Sequence, residues 1–463
     1  MFVPLYAMRL LWLGVLASQL AAVVGFWAWN HVHHPLGNQL TGDSTAQFLA
    51  WGRLAGLLAA FGCLLQIVLV GRTRWVERAF GLDRLSRLHH VVGFGLVLAI
   101  VAHPVLVTAG HALQEENSFG GQFAAFLKNW EDVAGATVAV GIMLAALVFS
   151  VLVLRRKMRY EWWHATHLTF YIAIALAFGH QLAVGWDFDT NLPPDPDRGF
   201  DAHRWFRYYW LGLYVFVFAN LLWYRVARPL AGYWRHRFRV ARLVPEAGAV
   251  TSVHIEGRRM ERFLARGGQF VIVRFLARGF RWEAHPFSLS APPDGRRLRL
   301  TIKALGDYTR KIPELAPGTG VIIDGPHGIF TAGRCKGAKA LLVAGGIGIT
   351  PIRSMAEDLA RRGTDLVLLY ANRDRKSIVF ETELAELAAA TGRLKVIHVL
   401  SADPDWAGER GQIDRERLAR LVPDVREREV FLCGPPPMMK AVRAALRNLG
   451  VPRGRIYYER FAL

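Results

Sequence analysis

The rhythm of hydrophobic and polar positions changes near the middle of the chain. Up to about residue 226, apolar residues gather into long runs, at residues 10–29, 48–70, 89–108, 133–154, 162–183 and 208–226. Each is close to the roughly 20 apolar residues that a membrane-crossing helix needs. Beyond them the runs shorten to strand length. VTSVHIEG, QFVIVRF, RLRLTIKA and GVIIDGP are separated by turn residues, a pattern that predicts a small antiparallel barrel. From Lys339 the pattern alternates: strand ALLVAGG, a helix from about Pro351, strand DLVLLYA, helix ETELAELAAA, then strands KVIHVL and VFLCG. That is the signature of a parallel α/β sheet. The reading is a six-span α-helical membrane domain over residues 1–229, a β-barrel domain over 230–334 and a parallel α/β domain over 335–463.

Composition sharpens this picture. Of the 463 residues 52% are hydrophobic, concentrated in the first half, and the formal charge is +20. Such a charge is compatible with nucleic-acid binding, but its placement follows the positive-inside rule, and no nucleic-acid partner is expected. Arg72, Arg74, Arg78, Arg84 and Arg87 fall between the second and third runs. Arg155, Arg156, Lys157 and Arg159 fall between the fourth and fifth, and Arg225, Arg228, Arg235, Arg237 and Arg239 follow the sixth. The alternate loops hold only Lys128, Arg198 and Arg204. Both termini and the C-terminal half are therefore expected in the cytoplasm, with the protein integral to the cell (inner) membrane. The first run lacks a clear small-residue cleavage site and five more runs follow, so it is read as a span rather than a signal peptide. Cys63, Cys335 and Cys433 are too scattered for a disulfide framework or a zinc site.

Ionisable residues at membrane depth are costly and point to function. His89 and His103 lie fourteen residues apart in the third run, and His167 and His180 thirteen apart in the fifth. Fourteen helical residues rise about 21 Å and return to within about 40° of the same face, so one helix can present two imidazoles at two depths. Thirteen residues make the rings diverge, which tilt, a π-bulge or different azimuths would have to absorb. Imidazole pairs suit iron, and bis-histidine ligation fits an electron-carrying b-type haem. From geometry alone His90 and His164 are competing ligands. Arg53, a few residues into the second run, is expected to pair with a haem propionate or to reach a lipid phosphate. His31, His33 and His34 form a cluster outside the apolar runs, read as an interfacial loop or a metal site, and His111 is similarly open.

Three segments of the second half carry chemistry. His285-Pro286-Phe287-Ser288 precedes the strand leading to Lys303, Gly306 and Thr309. Hydroxyl and backbone groups there can serve a flavin ring, and Lys303 and Thr309 its phosphates. Gly345-Gly346-Ile347-Gly348-Ile349-Thr350-Pro351 joins a strand to a helix, where bare N–H groups receive a pyrophosphate. Cys433-Gly434-Pro435 ends a later strand on the edge where parallel sheets bind ligands. Arg373 and Arg375 follow DLVLLYAN, where a 2′-phosphate or solvent would meet them.

Together these segments resemble the NADPH oxidase and ferric reductase superfamily, over nearly the whole chain. HPFSLS and KALGDYT resemble its flavin motifs, and DGPHG, AGGIGITP and FLCGPPPMM its nicotinamide-site motifs. The resemblance implies a ferredoxin–NADP reductase-like module and four haem ligands on the third and fifth spans. It selects His89 over His90 through the lead-in LDRLSRLH, and His167 over His164 through the spacing of thirteen. It places Arg53 near the outer haem, Cys433 at the site of hydride transfer, and Phe461 as the C-terminal aromatic that shields the flavin. The implied cofactors are FAD, two b-type haems and NADPH, with NADH as the other donor. By depth, His89 and His167 should hold the inner haem and His103 and His180 the outer. The expected acceptor is O2, giving superoxide. A ferric chelate, or an envelope protein fed with electrons, are the other readings.

Overall fold

A computed structural model describes residues 5–34, 37–151, 160–189 and 201–460. The chain divides into two compact units, residues 1–79 with 85–222, and residues 80–84 with 223–463.

The first unit is helical. Its long helices are α1 (Leu5–Val32), α2 (Ser44–Val70), α4 (Leu82–Gln114, whose first turn belongs to the other unit), α6 (Val133–Val151), α7 (Tyr160–Val184) and α8 (Ala202–Leu222); α3 (Arg74–Phe80) and α5 (Phe119–Asn129) are short. Among the described residues six helices are long and apolar enough to cross a membrane. Asp43 caps α2 by accepting from the Ala46 N–H at 2.8 Å, and Ser118 caps α5 from the Gly121 N–H at 3.1 Å, each meeting a donor that the helix cannot. The sixth run is longer than its hydrophobicity predicts, because α8 starts six residues earlier than expected and continues through a π-turn at Trp223–Ala227 into α9 (Arg228–His236). The core is aromatic: Trp27, Phe61, Phe206 and Trp210 are buried, and Phe26 stacks on Phe206 at 4.9 Å. Gln181 of α7 ties it to α8, accepting from Trp210 Nε1 at 2.8 Å and Tyr214 OH at 3.2 Å. Such polar bonds hold helices together where lipid removes the hydrophobic drive.

The second unit holds the barrel and the parallel sheet. The barrel strands are β1 (Arg239–Glu246), β2 (Val250–Glu256), β3 (Phe270–Phe275), β4 (His285–Ser288), β5 (Arg297–Lys303) and β6 (Val321–His327). They form two antiparallel sheets, β1-β2-β5 and β4-β3-β6. Bridges Leu289↔Leu300 and Arg239↔Gly320 join the two sheets at both ends, so six strands close on themselves as the turn-separated runs predicted. Inward positions such as Val253, Phe275, Leu289 and Leu300 fill the interior.

The parallel sheet runs β10-β9-β8-β7-β11-β12, with β7 (Lys339–Gly345), β8 (Asp365–Asn372), β9 (Leu394–Leu400), β10 (Glu409–Arg410), β11 (Glu429–Cys433) and β12 (Ile456–Glu459). Alternate residues of β7 face opposite cores, Leu342 and Ala344 on one side, Leu341 and Val343 on the other. Both faces are covered, by α11 (Ile349–Arg361), α12 (Glu381–Thr391), α13 (Arg415–Leu421) and α14 (Pro436–Asn448). A strand buried on both faces reads as a continuous apolar run, which is why ALLVAGG was legible. The four-residue Asp307–Arg310 helix, α10 by chain position, closes the loop after β5.

Candidate functional site

In the first unit the four histidines meet in two pairs. The rings of His89 and His167 are 5.9 Å apart, centroid to centroid, and those of His103 and His180 are 6.2 Å apart. An imidazole–metal–imidazole axis with metal–nitrogen bonds of about 2 Å sets the two centroids about 6 Å apart, so both gaps fit one iron each. Helix α7 packs closely along α6 and much more loosely against α4. Helix α7 is an unbroken α-helix, so no π-bulge absorbs the thirteen-residue divergence, and tilt and side-chain azimuth remain as the devices. The ring that meets His167 belongs to His89, while His90 turns its Nδ1–H to the Ser86 carbonyl of its own helix at 2.8 Å.

In each pair one ring is held through its Nδ1, while the Nδ1 atoms of His89 and His180 are buried with no hydrogen-bond partner. His103 Nδ1–H donates to the Gly52 carbonyl at 2.9 Å, and His167 Nδ1 lies 3.3 Å from Ser150 Oγ, which itself donates to Ala146. Fixing Nδ1 leaves Nε2 as the ligating nitrogen and sets the ring's plane. A Cβ at Gly56 would lie 2.7 Å from His103 Nδ1, so only glycine there leaves room for that ring. Gly52 and Gly56 were not singled out from sequence, although their small-xxx-small spacing is the signal for close helix approach.

Near His103 lies a polar cage. Arg53 does not reach outward to lipid: its Nη1 is buried without a hydrogen-bond partner, and its guanidinium lies 5.1 Å over the Trp186 ring. That orphaned donor fits a carboxylate such as a haem propionate. Asp187 is buried and accepts from Asn30 Nδ2 at 3.1 Å. Burial raises its pKa, but the neighbouring His31, whose Nε2 lies 3.8 Å away, and Arg53 outweigh that and hold the carboxyl below its ordinary value. His31 also meets Gln39 Oε1 through Nδ1, so this member of the histidine cluster is a packed polar residue. His34 and His203 flank Trp186 at 4.5 and 4.6 Å. Burial, then Arg53, His31 and His203, push the His34 pKa down to about 4. Among the described residues no group of three or more His, Cys, Asp or Glu is arranged to hold a metal.

In the second unit, His285, Pro286, Phe287 and Ser288 form strand β4, paired to β3. His285 lies 4.0 Å from the Tyr308 ring and 3.0 Å from Glu283 Oε2. Lys303 ends β5 opposite Val250. The Thr309 hydroxyl accepts from the N–H groups of Leu305 and Gly306 at 2.9 Å and donates to the Gly306 carbonyl at 3.1 Å. Its donor and both acceptor positions are thus committed to shaping the loop. Sequence reading missed the clamp behind this segment. Arg299 holds the Ser290 carbonyl at 2.9 Å and grips Glu383 with two nitrogens at 2.6 and 3.1 Å, and Arg353 reaches the same carboxylate at 3.0 Å.

At the nucleotide edge, β7 ends at Gly345, Gly346–Gly348 make one tight turn, and α11 starts at Ile349, two residues before the expected Pro351. Thr350 is buried, its hydroxyl closing the turn onto the Ile347 carbonyl at 3.0 Å. A Cβ at Gly348 would lie 2.4 Å from the Cys433 carbonyl oxygen, and one at Gly345 2.8 Å from Pro435 Cδ. A Cβ at Gly434 would lie 3.0 Å from Gly345 Cα. The two loops touch backbone to backbone, an approach that only glycine permits. Cys433 is fully buried and burial raises its thiol pKa well above the usual value, so it stays a neutral thiol. Arg373 is exposed just past β8. Arg375 pairs with Glu381 at 3.5 Å. Phe461 lies outside the described residues.

Residues 55–178 match the family described as ferric reductase like transmembrane component, residues 238–329 an FAD-binding domain, and residues 342–444 an oxidoreductase NAD-binding domain. Ferredoxin–NADP reductase B of Sorangium cellulosum is 33% identical over 238 residues, covering 48% of this chain and 96% of the relative. The glycine betaine monooxygenase reductase subunit of Pseudomonas aeruginosa is 29% identical over 236 residues, 49% of this chain, and the match spans 64% of that relative. Among solved structures, the flavohem-like FAD/NAD-binding domain of a Vibrio cholerae nitric oxide dioxygenase is 25% identical, with a TM-score of 0.44 over 49% of this chain and 98% of that one. A ferredoxin–NADP reductase-type module follows a ferric-reductase-like membrane component on one polypeptide, and the chain therefore belongs to the NADPH oxidase and ferric reductase superfamily.

Proposed function

We propose that this oxidoreductase carries electrons from cytoplasmic NAD(P)H through FAD and two b-type haems across the membrane, to O2 on the far side, producing superoxide. One observation carries the reading: two histidine pairs on the same two helices, each spaced for a single iron. Bound FAD would accept a two-electron donor and release single electrons, and the haems would relay them.

The residues present the rest. Backbone N–H groups of the Gly345–Gly348 turn and the N-terminus of α11 would receive the dinucleotide pyrophosphate, and the backbone of Cys433 and Gly434 would line the nicotinamide side, the Cys433 thiol itself lying in the core. Arg373 stands free to meet a 2′-phosphate, which favours NADPH over NADH. The β4 backbone and Ser288 face the flavin ring, and Lys303 and the loop held by Thr309 its phosphates. His89 with His167 would hold the inner iron, and His103 with His180 the outer. Each pair would supply two imidazoles to its iron, so O2 would be reduced without binding the metal. Arg53, its charge fixed beside Trp186, stabilises the negative charge that develops on O2. Electron flow outward across a membrane negative inside is favoured by about 2.3 kcal/mol per 100 mV.

Stopped-flow mixing of NADPH-reduced protein with O2 and with ferric chelates tests the terminal step. Fast reoxidation by O2, with superoxide-dismutase-sensitive cytochrome c reduction, is expected. Reduced haem that persists for minutes in air but reacts with ferric chelate makes the protein a ferric reductase instead. Persistence with both directs attention to an envelope protein acceptor.

A further inference from the structure

The second unit carries a cluster of arginines that the nucleotide and flavin sites do not use. Arg84, Arg443, Arg447, Arg453, Ile456 and Tyr458 line a cleft of about 310 Å³. It lies along β12, the edge strand of the parallel sheet. Ile456 pairs with Val430, three residues upstream of Cys433, so the cleft is set back about 10 Å along the strand from the edge where the dinucleotide motifs meet.

Among the described residues no carboxylate lines the cleft. Other arginines of this unit sit on acids: Arg428 on Asp365 and Asp424, Arg417 and Arg420 on Glu409, Arg299 and Arg353 on Glu383. Among the described residues the four cleft arginines form no ion pair. Arg443 and Arg447 stand one helical turn apart on α14, a like-charge spacing that costs an isolated helix stability. Two groups fix the site's shape: Arg443 lies 4.0 Å over the Tyr458 ring, and Arg447 Nε donates to the Arg443 carbonyl at 3.1 Å. Guanidinium forks held apart in this way match phosphate oxygens.

Arg84 belongs to this unit, yet it lies on the first turn of α4, five residues ahead of the apolar stretch that starts at His89. A cleft that includes it stands where a helix enters the membrane, at the level of lipid headgroups. We propose that this cleft binds the phosphate of an anionic phospholipid headgroup and so ties the flank of the nucleotide domain to the bilayer. The inference goes beyond the electron-transfer reading and does not depend on the acceptor.

Full-length protein in nanodiscs of phosphatidylcholine, with phosphatidylglycerol added in steps, tests it by hydrogen exchange of peptides over residues 436–460. Protection should rise with phosphatidylglycerol, and R443Q/R447Q should need about tenfold more of it or beyond. R415Q, which removes an exposed arginine elsewhere in the unit, should match the parent. R84Q, a change outside α14, should shift the titration in the same direction, so that a folding defect in the double variant leaves the test standing. NADPH-driven dye reduction checks that each variant is folded. In a second arm, inorganic pyrophosphate is added to pure phosphatidylcholine discs. Protection by pyrophosphate but not by phosphatidylglycerol overturns the lipid assignment, and protection by neither overturns the site.

Discussion

The two units hold their chemistry in different ways. In the reductase unit the ligand-facing groups are mostly backbone, bared where glycine turns at Gly345–Gly348 and Gly434 press together. In the membrane unit the proposed ligands are four single side chains on α4 and α7, of which His103 is held by a carbonyl of α2 and His167 by a hydroxyl of α6. A backbone cradle spreads its binding over many groups, so loss of one side chain weakens it by degrees. An axial ligand has no substitute nearby, so its loss removes a centre.

This contrast can be broken most directly by single replacements. His180→Leu should cut NADPH-driven transmembrane electron transfer by about a hundredfold or more while leaving dye reduction by the flavin module intact. His285→Ala should only weaken FAD retention, by about tenfold. Equal, all-or-none losses would erase the distinction.

Glycine replacements sharpen it next. At Gly348 an added methyl meets a backbone carbonyl at 2.4 Å, which cannot move without the strand it ends. Gly348→Ala should raise the KM for NAD(P)H about tenfold or more and leave the haem spectrum unchanged. At Gly56 the methyl meets a side-chain ring at 2.7 Å. Gly56→Ala should tilt His103, shift the outer-haem band and potential, and leave the KM for NAD(P)H unchanged.

Smaller effects are expected behind the sites. Glu383→Ala leaves Arg299 and Arg353, both largely buried, without their shared carboxylate. The reductase unit should lose about 2 kcal/mol, seen as a lower melting temperature, with little change in the membrane unit. The polar cage around Arg53 should respond to pH. His34 is held neutral, its pKa near 4 against 6.5, so the folded state binds fewer protons than the unfolded one between those values. Stability from this group is complete above about pH 6.5 and falls as pH drops toward 4. Asp187, with a lowered pKa, adds a further loss below its ordinary carboxylate value. Hydrogen-exchange protection over residues 28–34 should decline across that window, and His34→Gln should flatten the decline.

The same contrast governs what could be read from sequence. The reductase motifs are contiguous, and GGIGITP and CGPP sit in the structure where strand and turn signals put them, while HPFS forms a strand of its own. The spans were visible as apolar runs, but the π-turn that extends α8 depends on backbone bonding that composition does not report. His89 and His103 share a face by arithmetic. That His167 and His180 both reach them depends on helix tilt, which the thirteen-residue spacing alone argued against. Arg53 was found as a buried charge, but its place over Trp186 needed the loop after α7. Gly56 and Glu383 went unremarked because their importance lies in neighbours 47 and 84 residues away, His103 and Arg299.

Haem content relative to flavin tests the central claim most directly. Pyridine haemochrome assay of the purified protein should give two haems per FAD, low-spin by electron paramagnetic resonance, and His103→Leu should give one with the inner signal retained. A single haem in the unaltered protein, or a His103→Leu variant that keeps both, would contradict the assignment of the two histidine pairs to two irons.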